Sequence, residues 1–333
     1  MKAYIVDKYG KGTRLRLGEI PVPALREDDV LVEVHATAVN VLDVKIRNGD
    51  FRPILPYRVP FVLGHDVAGV VVAVGAKVRQ FKIGDEVFSR PDDFRIGTFA
   101  EFIAIKEQSV AIKPHTLTME EAASIPLVGL TAWQALVDRA GPINGKKVLI
   151  QAGSGGVGTF AIQLAKHLGA TVATTASAAN AALVTGLGAD VVIDYRKDDV
   201  ENVLHDYDVV LHSQDAATLA KSLRVLKPGG KLISISGPPD AAFAQEARLP
   251  WFMKVLMRAL SFGARRQARR RAVHYEFLFM KPDGSALREI AKLIDAGQIR
   301  PVIDRVFSFE DTNAALALVE AGRAKGKVGI KLK

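Results

Sequence analysis

The run Lys147-Val148-Leu149-Ile150-Gln151 passes directly into Ala152-Gly153-Ser154-Gly155-Gly156-Val157-Gly158 and then into a helical pattern. A G-x-G-x-x-G turn between a strand and a helix is built for a dinucleotide pyrophosphate. Its glycines permit the tight turn, the close approach of the phosphates and the contact between helix and strand. The flanks supply the context that the motif alone lacks. An apolar strand precedes it, and Ala161, Leu164, Ala165 and Leu168 follow at helical spacing until Gly169-Ala170 stops the helix. Further strands are predicted at Thr171 to Thr174, Asp190 to Asp194, Tyr207 to Leu211 and Lys231 to Ser236, with helical segments between them. Such alternation predicts an α/β fold, a Rossmann doubly wound parallel sheet that binds ligands beyond the carboxyl ends of its strands. The competing reading is a structural glycine turn in an unrelated α/β fold.

A site for NAD usually carries an acid at the end of the second strand, where it accepts from the ribose hydroxyls. Here the chain reads Thr174-Thr175-Ala176-Ser177, with no acid before Asp190. Thr175 and Ser177 are hydroxyl donors for a 2′-phosphate. Tyr195 and Arg196, at the end of the third strand, add a phenol and a cation. The expected cofactor is therefore NADPH, against the alternative of a solvated Arg196 and a site indifferent between the two cofactors. Ser236 and Gly237, on the tail of the fifth strand, are small enough to border the nicotinamide and its ribose.

The segments outside this sheet have a different style. Residues 1–121 alternate short strands (Val30 to Ala36, Val67 to Val74, Glu86 to Ser89, Phe99 to Ile105) with Gly, Pro and Asp turns, and residues 283–333 return to that style. We expect a dinucleotide-binding domain, 122–282, inserted into a discontinuous β-rich catalytic domain, with substrate held in a cleft. The 333-residue chain has no cysteine, which removes thiolate ligands and disulfides. It also lacks any apolar run of about 18 residues and any signal peptide, so a cytoplasmic location is expected. The net charge of +9 is concentrated between Arg248 and Arg271, where eight basic residues and no acid occur. Nucleic acid is therefore not an expected partner of the chain as a whole. Trp251, Phe252, Val255, Leu256, Leu260 and Phe262 interleave with these charges, which predicts an amphipathic cationic helix. Its alternatives are a lid or subunit contact and a weak contact with an anionic membrane.

Taken together, Asn40-Val41-Leu42-Asp43, Gly64-His65-Asp66-Val67-Ala68-Gly69, Gly84-Asp85-Glu86-Val87, Gly97-Thr98-Phe99-Ala100-Glu101 and the glycine turn resemble the medium-chain dehydrogenase/reductase superfamily over essentially the whole chain. The pattern N-x-x-D-x-K, here Asn40, Asp43 and Lys45, is similar to the zinc-free quinone oxidoreductase and alkenal/one (enone) oxidoreductase branch, as is Gly322 to Val328. The resemblance implies a GroES-like catalytic domain around the Rossmann domain and a homodimer, with Tyr275 to Met280 as a strand joining two sheets. It also implies that Asn40 and Lys45 lie beside the nicotinamide, that Thr131 approaches the cofactor, and that Arg323 lies near the 2′-phosphate. The family lysine near that phosphate is replaced by Asn180, and the fourth strand ends in Leu211-His212-Ser213-Gln214-Asp215 rather than the usual Asp-Thr-Val-Gly.

Zinc-dependent relatives need ligands where this chain has Asn40, His65 and Leu127, and only His65 can serve. No zinc is expected. Without a Lewis acid the acceptor must already be electron-poor, which points to an NADPH-dependent reductase of quinones or α,β-unsaturated carbonyls. Asn40 and Lys45 are the expected donors to the developing negative oxygen. Tyr57 and His65 are secondary candidates for orienting substrate or relaying a proton. The alternative function is a non-catalytic NADPH-binding redox sensor, or a membrane- or RNA-associated protein using its basic segment.

Overall fold

The computed structural model describes residues 1–333, which divide into two compact units, Met1–Leu130 with Lys281–Lys333, and Thr131–Met280. The cut falls beyond residue 121 because helix Met119–Ala123 packs on strands of the first unit and Leu127 donates its N–H to Asp66 there.

In the first unit the strands are β1 (Lys2–Val6), β2 (Arg16–Glu19), β3 (Asp29–Val39), β4 (Phe61–Val62), β5 (Asp66–Val74), β6 (Glu86–Ser89), β7 (Phe102–Lys106) and β8 (Val110–Ile112). β2, β1 and β4 form a small antiparallel sheet. The long β3 pairs with β5 and β7, and β5 leads on to β6 and β8. Alternation explains the first half of β3: Val30, Val32 and Val34 are buried, while Leu31, Glu33 and His35 are partly exposed. These valines join Val67, Val71, Val87, Ile103 and Ile105 in one core, each contributing about 1.5–3 kcal/mol on burial. The expected strand from Phe99 begins only at Phe102, because Phe99 is held by the Leu63 carbonyl rather than by a ladder.

The second unit contains β9 (Lys147–Ile150), β10 (Thr171–Ala176), β11 (Val191–Asp194), β12 (Tyr207–His212), β13 (Leu226–Ser234) and β14 (His274–Phe277). All six pair in parallel, in the spatial order β11-β10-β9-β12-β13-β14. The order reverses at β9, the switch point where doubly wound sheets bind ligands. Val148, Leu149 and Ile150 are fully buried, as a central strand covered on both faces requires. The fifth strand starts earlier than expected, at Leu226, with a register shift across Pro228-Gly229-Gly230, and ends at Ser234 rather than Ser236. Of the segment Tyr275 to Met280 expected to link two sheets between subunits, only Tyr275 to Phe277 is strand, within the edge strand β14, and residues 278–280 are outside it.

Back in the first unit, β15 (Ile303–Ser308) runs parallel to β16 (Lys327–Lys331), which pairs antiparallel with β3, Val328 facing Val39 and Ile330 facing Thr37. This pairing closes the discontinuous unit. The predicted helix at Ser285 to Ala296 spans Gly284–Asp295, capped by Asp283. The basic segment folds as two helices, Trp251–Leu260 and Phe262–Arg270, not one, with the break at the buried Ser261. No helix is long and apolar enough to cross a membrane.

Candidate functional site

Strand register assembles a buried polar cluster in the first unit. Asn40 follows the last residue of β3, His65 immediately precedes β5, Asp66 opens it, and Lys327 opens β16. Because Ala38 faces Asp66 and Val328 faces Val39, these residues meet at one end of the sheet. Lys327 Nζ donates to Asn40 Oδ1 at 2.5 Å and to Asp66 Oδ2 at 2.9 Å. Asn40 Nδ2 donates to the same Asp66 oxygen at 2.9 Å, and the Leu127 amide donates to Asp66 Oδ1 at 2.7 Å. On the other side, Asp43 Oδ2 accepts the Asn40 backbone N–H at 2.7 Å and Asp43 Oδ1 lies 2.6 Å from His65 Nδ1. Asp43 thereby caps helix Val41–Asn48 and orients the imidazole. Asp43, His65 and Asp66 are fully buried and Lys327 nearly so, while His65 Nε2 is buried with no partner.

This arrangement corrects two expectations. Asn40 is not free to donate to substrate, since its carboxamide is turned into the Asp66–Lys327 pair. Lys45 does not join Asn40 and Asp43, because it stands two residues beyond Asp43, about 200° around the helix. Lys45 is half-buried and makes no side-chain hydrogen bond or ion pair, with Asp43 and Asp50 included. Tyr57 is a third correction. Its hydroxyl donates to the Asp93 carbonyl and its ring stacks on Phe61 with centroids 5.1 Å apart. Burial and the nearby Asp93 raise its pKa well above the usual phenol range, which suits a wall residue and not a proton relay. Asp66 and Lys327 were not among the expected site residues. The only signal in the sequence was an acid beside His65 and a lysine in the closing motif.

These side chains do not fit a zinc ion. The two carboxylates beside His65 are already engaged, Asp43 by His65 Nδ1 and the Asn40 amide and Asp66 by Lys327, Asn40 and the Leu127 amide, and nowhere do three or more His, Cys, Asp or Glu residues cluster to hold a metal.

In the second unit the glycine turn forms an anion cradle. Ala152 adopts a positive φ of 52° and donates its N–H to Thr175 Oγ1 at 2.9 Å, and Gly153 N–H donates to the Thr175 carbonyl at 2.9 Å. A Cβ on Gly158 would collide with the Ala152 carbonyl and sit 2.7 Å from Gly153 Cα, and one on Gly153 would press into Thr174. Helix Gly156–His167 begins without a side-chain cap at Gly155, and its first internal bond is Thr159 N–H to the Gly155 carbonyl. The amides of Gly156, Val157 and Gly158 therefore have no acceptor within the protein, and Ser154 lies alongside, bonded to Asn180 Nδ2 at 3.1 Å. Three orphan donors at the positive end of a helix suit a pyrophosphate.

Thr175, expected to reach a 2′-phosphate, instead lies buried beneath the turn and holds it. Ser177 stands at the end of β10 with an unpaired hydroxyl. Beside it, in register with Ala176, is Asp194, whose carboxylate takes the Arg196 N–H at 3.1 Å. Tyr195 is 58% exposed, with the Arg196 guanidinium 5.8 Å from its ring centre. Ser236 donates to the Gln214 carbonyl at 2.6 Å, and Gly237 N–H donates to Ser234 Oγ at 2.8 Å. Thr131 is buried on helix Pro126–Trp133, and Arg323 is exposed in the turn before β16.

His212, at the end of β12, was not expected in any role. Its Nδ1 faces Ser234 Oγ at 2.8 Å and its Nε2 faces the Asp215 carbonyl at 3.1 Å, so the ring is held neutral with the proton on Nε2. Burial lowers its pKa to about 4. Unfolded chains bind a proton at His212 from pH 6.5 downward, whereas the folded chain does not until about pH 4. Stability therefore falls as the pH drops through that window. We expect a loss of about 2 kcal/mol between pH 7 and 5 in urea unfolding, most of it absent in His212→Gln. An unchanged slope in the variant would remove His212 as the cause.

Residues 26–115 match the profile of the alcohol dehydrogenase GroES-like domain, and residues 187–328 match that of the zinc-binding dehydrogenases. The chain is 37% identical to the mitochondrial NAD(P)H oxidoreductase RTN4IP1 of Danio rerio, covering 100% of this chain and 91% of that one. The chain belongs to the medium-chain dehydrogenase/reductase superfamily. Within it, the chloroplastic NADPH-dependent alkenal/one oxidoreductase of Arabidopsis thaliana is 35% identical over 98% of this chain and 78% of its own. The solved quinone oxidoreductase of Coxiella burnetii is 31% identical, with a TM-score of 0.87, covering 100% of this chain and 99% of that one. This medium-chain reductase thus sits in the quinone and enone oxidoreductase branch, and is an oxidoreductase that uses a nicotinamide dinucleotide.

Proposed function

We propose that the chain is a zinc-independent, NADPH-dependent reductase of quinones or α,β-unsaturated carbonyls. The observation that carries this reading is the Asn40–Asp66–Lys327 cluster. The Lys327 ammonium and the Asn40 carboxamide engage the Asp66 carboxylate, which argues against a metal at this cluster and favours an acceptor that carries its own electrophilicity. The names of the plant and bacterial relatives agree with that substrate class.

The turn amides of Gly156, Val157 and Gly158 would hold the pyrophosphate, and Ser177 with Tyr195 and Arg196 would meet the 2′-phosphate. NADPH, when bound, supplies a hydride. Replacing Arg196 by Ala should weaken NADPH binding about tenfold and leave NADH binding unchanged, as read by fluorescence titration. An equal loss for both cofactors would mean that Arg196 does not recognise the phosphate.

Lys45 is the proposed donor to the acceptor oxygen on which negative charge develops, since its ammonium has no other partner. Asn40, Asp43 and His65 act as positioning residues that fix the start of the Lys45 helix. Lys45→Met should lower turnover at least tenfold, about 1.4 kcal/mol of barrier, with NADPH affinity preserved. Steady-state kinetics with one quinone and one enone test this, and an unchanged turnover removes Lys45 from the mechanism.

A further inference from the structure

The two helices of the basic segment leave an unusual surface on the second unit. Helix Trp251–Leu260 buries only Met257, and helix Phe262–Arg270 buries only Ala264 and Ala268, which pack with Leu223 and Val273. Most of the remainder faces outward, with Met253, Lys254 and Arg265 half-buried. Trp251 is 77% exposed, Val255 60% and Phe262 62%, and Phe252, Leu256 and Leu260 are exposed with them. Beside them Arg258, Arg265, Arg266, Arg269 and Arg270 line a depression of about 510 Å³ with Phe262. None of these arginines forms an ion pair, and no acid occurs from Arg248 to Arg271.

We infer that this face docks on an anionic phospholipid surface. Phe262, Arg266 and Arg270 recur at i, i+4 and i+8, so aromatic and cationic groups share one side of the second helix. The first helix adds the exposed Trp251, Phe252, Val255, Leu256 and Leu260, and its Arg258 lines the same depression. A lipid interface takes both kinds of group at once, apolar side chains below the headgroups and guanidinium groups among the phosphates. A nucleic acid would engage the arginines but has no place for exposed Val255, Leu256 and Leu260. A second copy of the same face would set arginine against arginine with no acid to relieve the repulsion.

The test is co-sedimentation of the full-length protein with vesicles of phosphatidylcholine alone and of phosphatidylcholine with about one-third phosphatidylglycerol. Each cation near an anionic surface strengthens partitioning about fivefold. The protein should bind the anionic vesicles at least tenfold more strongly, and binding should weaken with salt. Arg265→Glu/Arg266→Glu/Arg269→Glu and, separately, Trp251→Ser/Leu256→Ser should each reduce partitioning at least tenfold. Both sets change exposed or half-exposed side chains, so the melting temperature should be retained. Three outcomes overturn the inference: equal binding to neutral and anionic vesicles, no vesicle binding alongside arginine-dependent binding of a DNA duplex, or a change of oligomeric state in Trp251→Ser/Leu256→Ser without loss of vesicle binding.

Discussion

Lys327→Met destabilises the protein by about 3–5 kcal/mol, because it strands the Asp66 carboxylate in a fully buried place with only neutral donors left. The loss comes less from the ion pair itself than from the uncompensated charge. Lys327→Met combined with Asp66→Asn should therefore recover most of the stability, although it contains one change more. Urea unfolding of the two single variants and the double variant gives the comparison. If Lys327→Met costs under about 1 kcal/mol, the cluster does not hold the end of β3, β5 and β16 together as described.

The second large effect falls on the glycine turn, where Gly158 and Gly155 have different reasons to be glycine. Gly158→Ala places a methyl group against the Ala152 carbonyl and Gly153 Cα, so helix and strand must separate. NADPH affinity should fall at least a hundredfold, about 2.8 kcal/mol, and the melting temperature should drop as well. Gly155→Ala meets only the Ala152 carbonyl, at 3.3 Å, and should leave stability nearly intact. Its methyl group would instead occupy the space through which the phosphates approach, and affinity should still fall at least tenfold. Calorimetric titration with a thermal melt on each variant separates the two causes. Undiminished affinity in both variants would remove the turn from dinucleotide binding.

The sequence carried the Rossmann half well because its signals are local. Val148 to Ile150 is a continuous apolar run, the glycines follow closely, and glycine or proline marks the entry to the strands at Thr171, Val191 and Lys231, while polar runs such as Leu204-His205-Asp206 and Ser213-Gln214-Asp215 bound the strand at Tyr207. Several interactions that decide the candidate site are not local. Lys327 reaches Asn40 across 287 positions of chain, and their meeting depends on which residue of β16 faces Val39. A shift of one residue in that pairing would send Lys327 to the opposite face of the sheet. No spacing rule could therefore have shown that the Asn40 carboxamide was already engaged. The separation of Lys45 from the Asn40–Asp43 cluster has a different origin. The pattern N-x-x-D-x-K groups three residues that a helix distributes around its circumference. The break at Ser261 was hidden because Leu260, Ser261 and Phe262 include neither glycine nor proline.

The proposed catalysis rests on hydride transfer to an already activated acceptor with no metal to assist. Its most direct test is NADPH oxidation by the purified protein, with bound metal quantified in the same sample, against enones, enals, quinones and simple saturated ketones, before and after chelation. Turnover with an enone or quinone, none with the saturated ketones, and no response to chelation is the predicted result. About one zinc per chain, lost on chelation together with the activity, would contradict it.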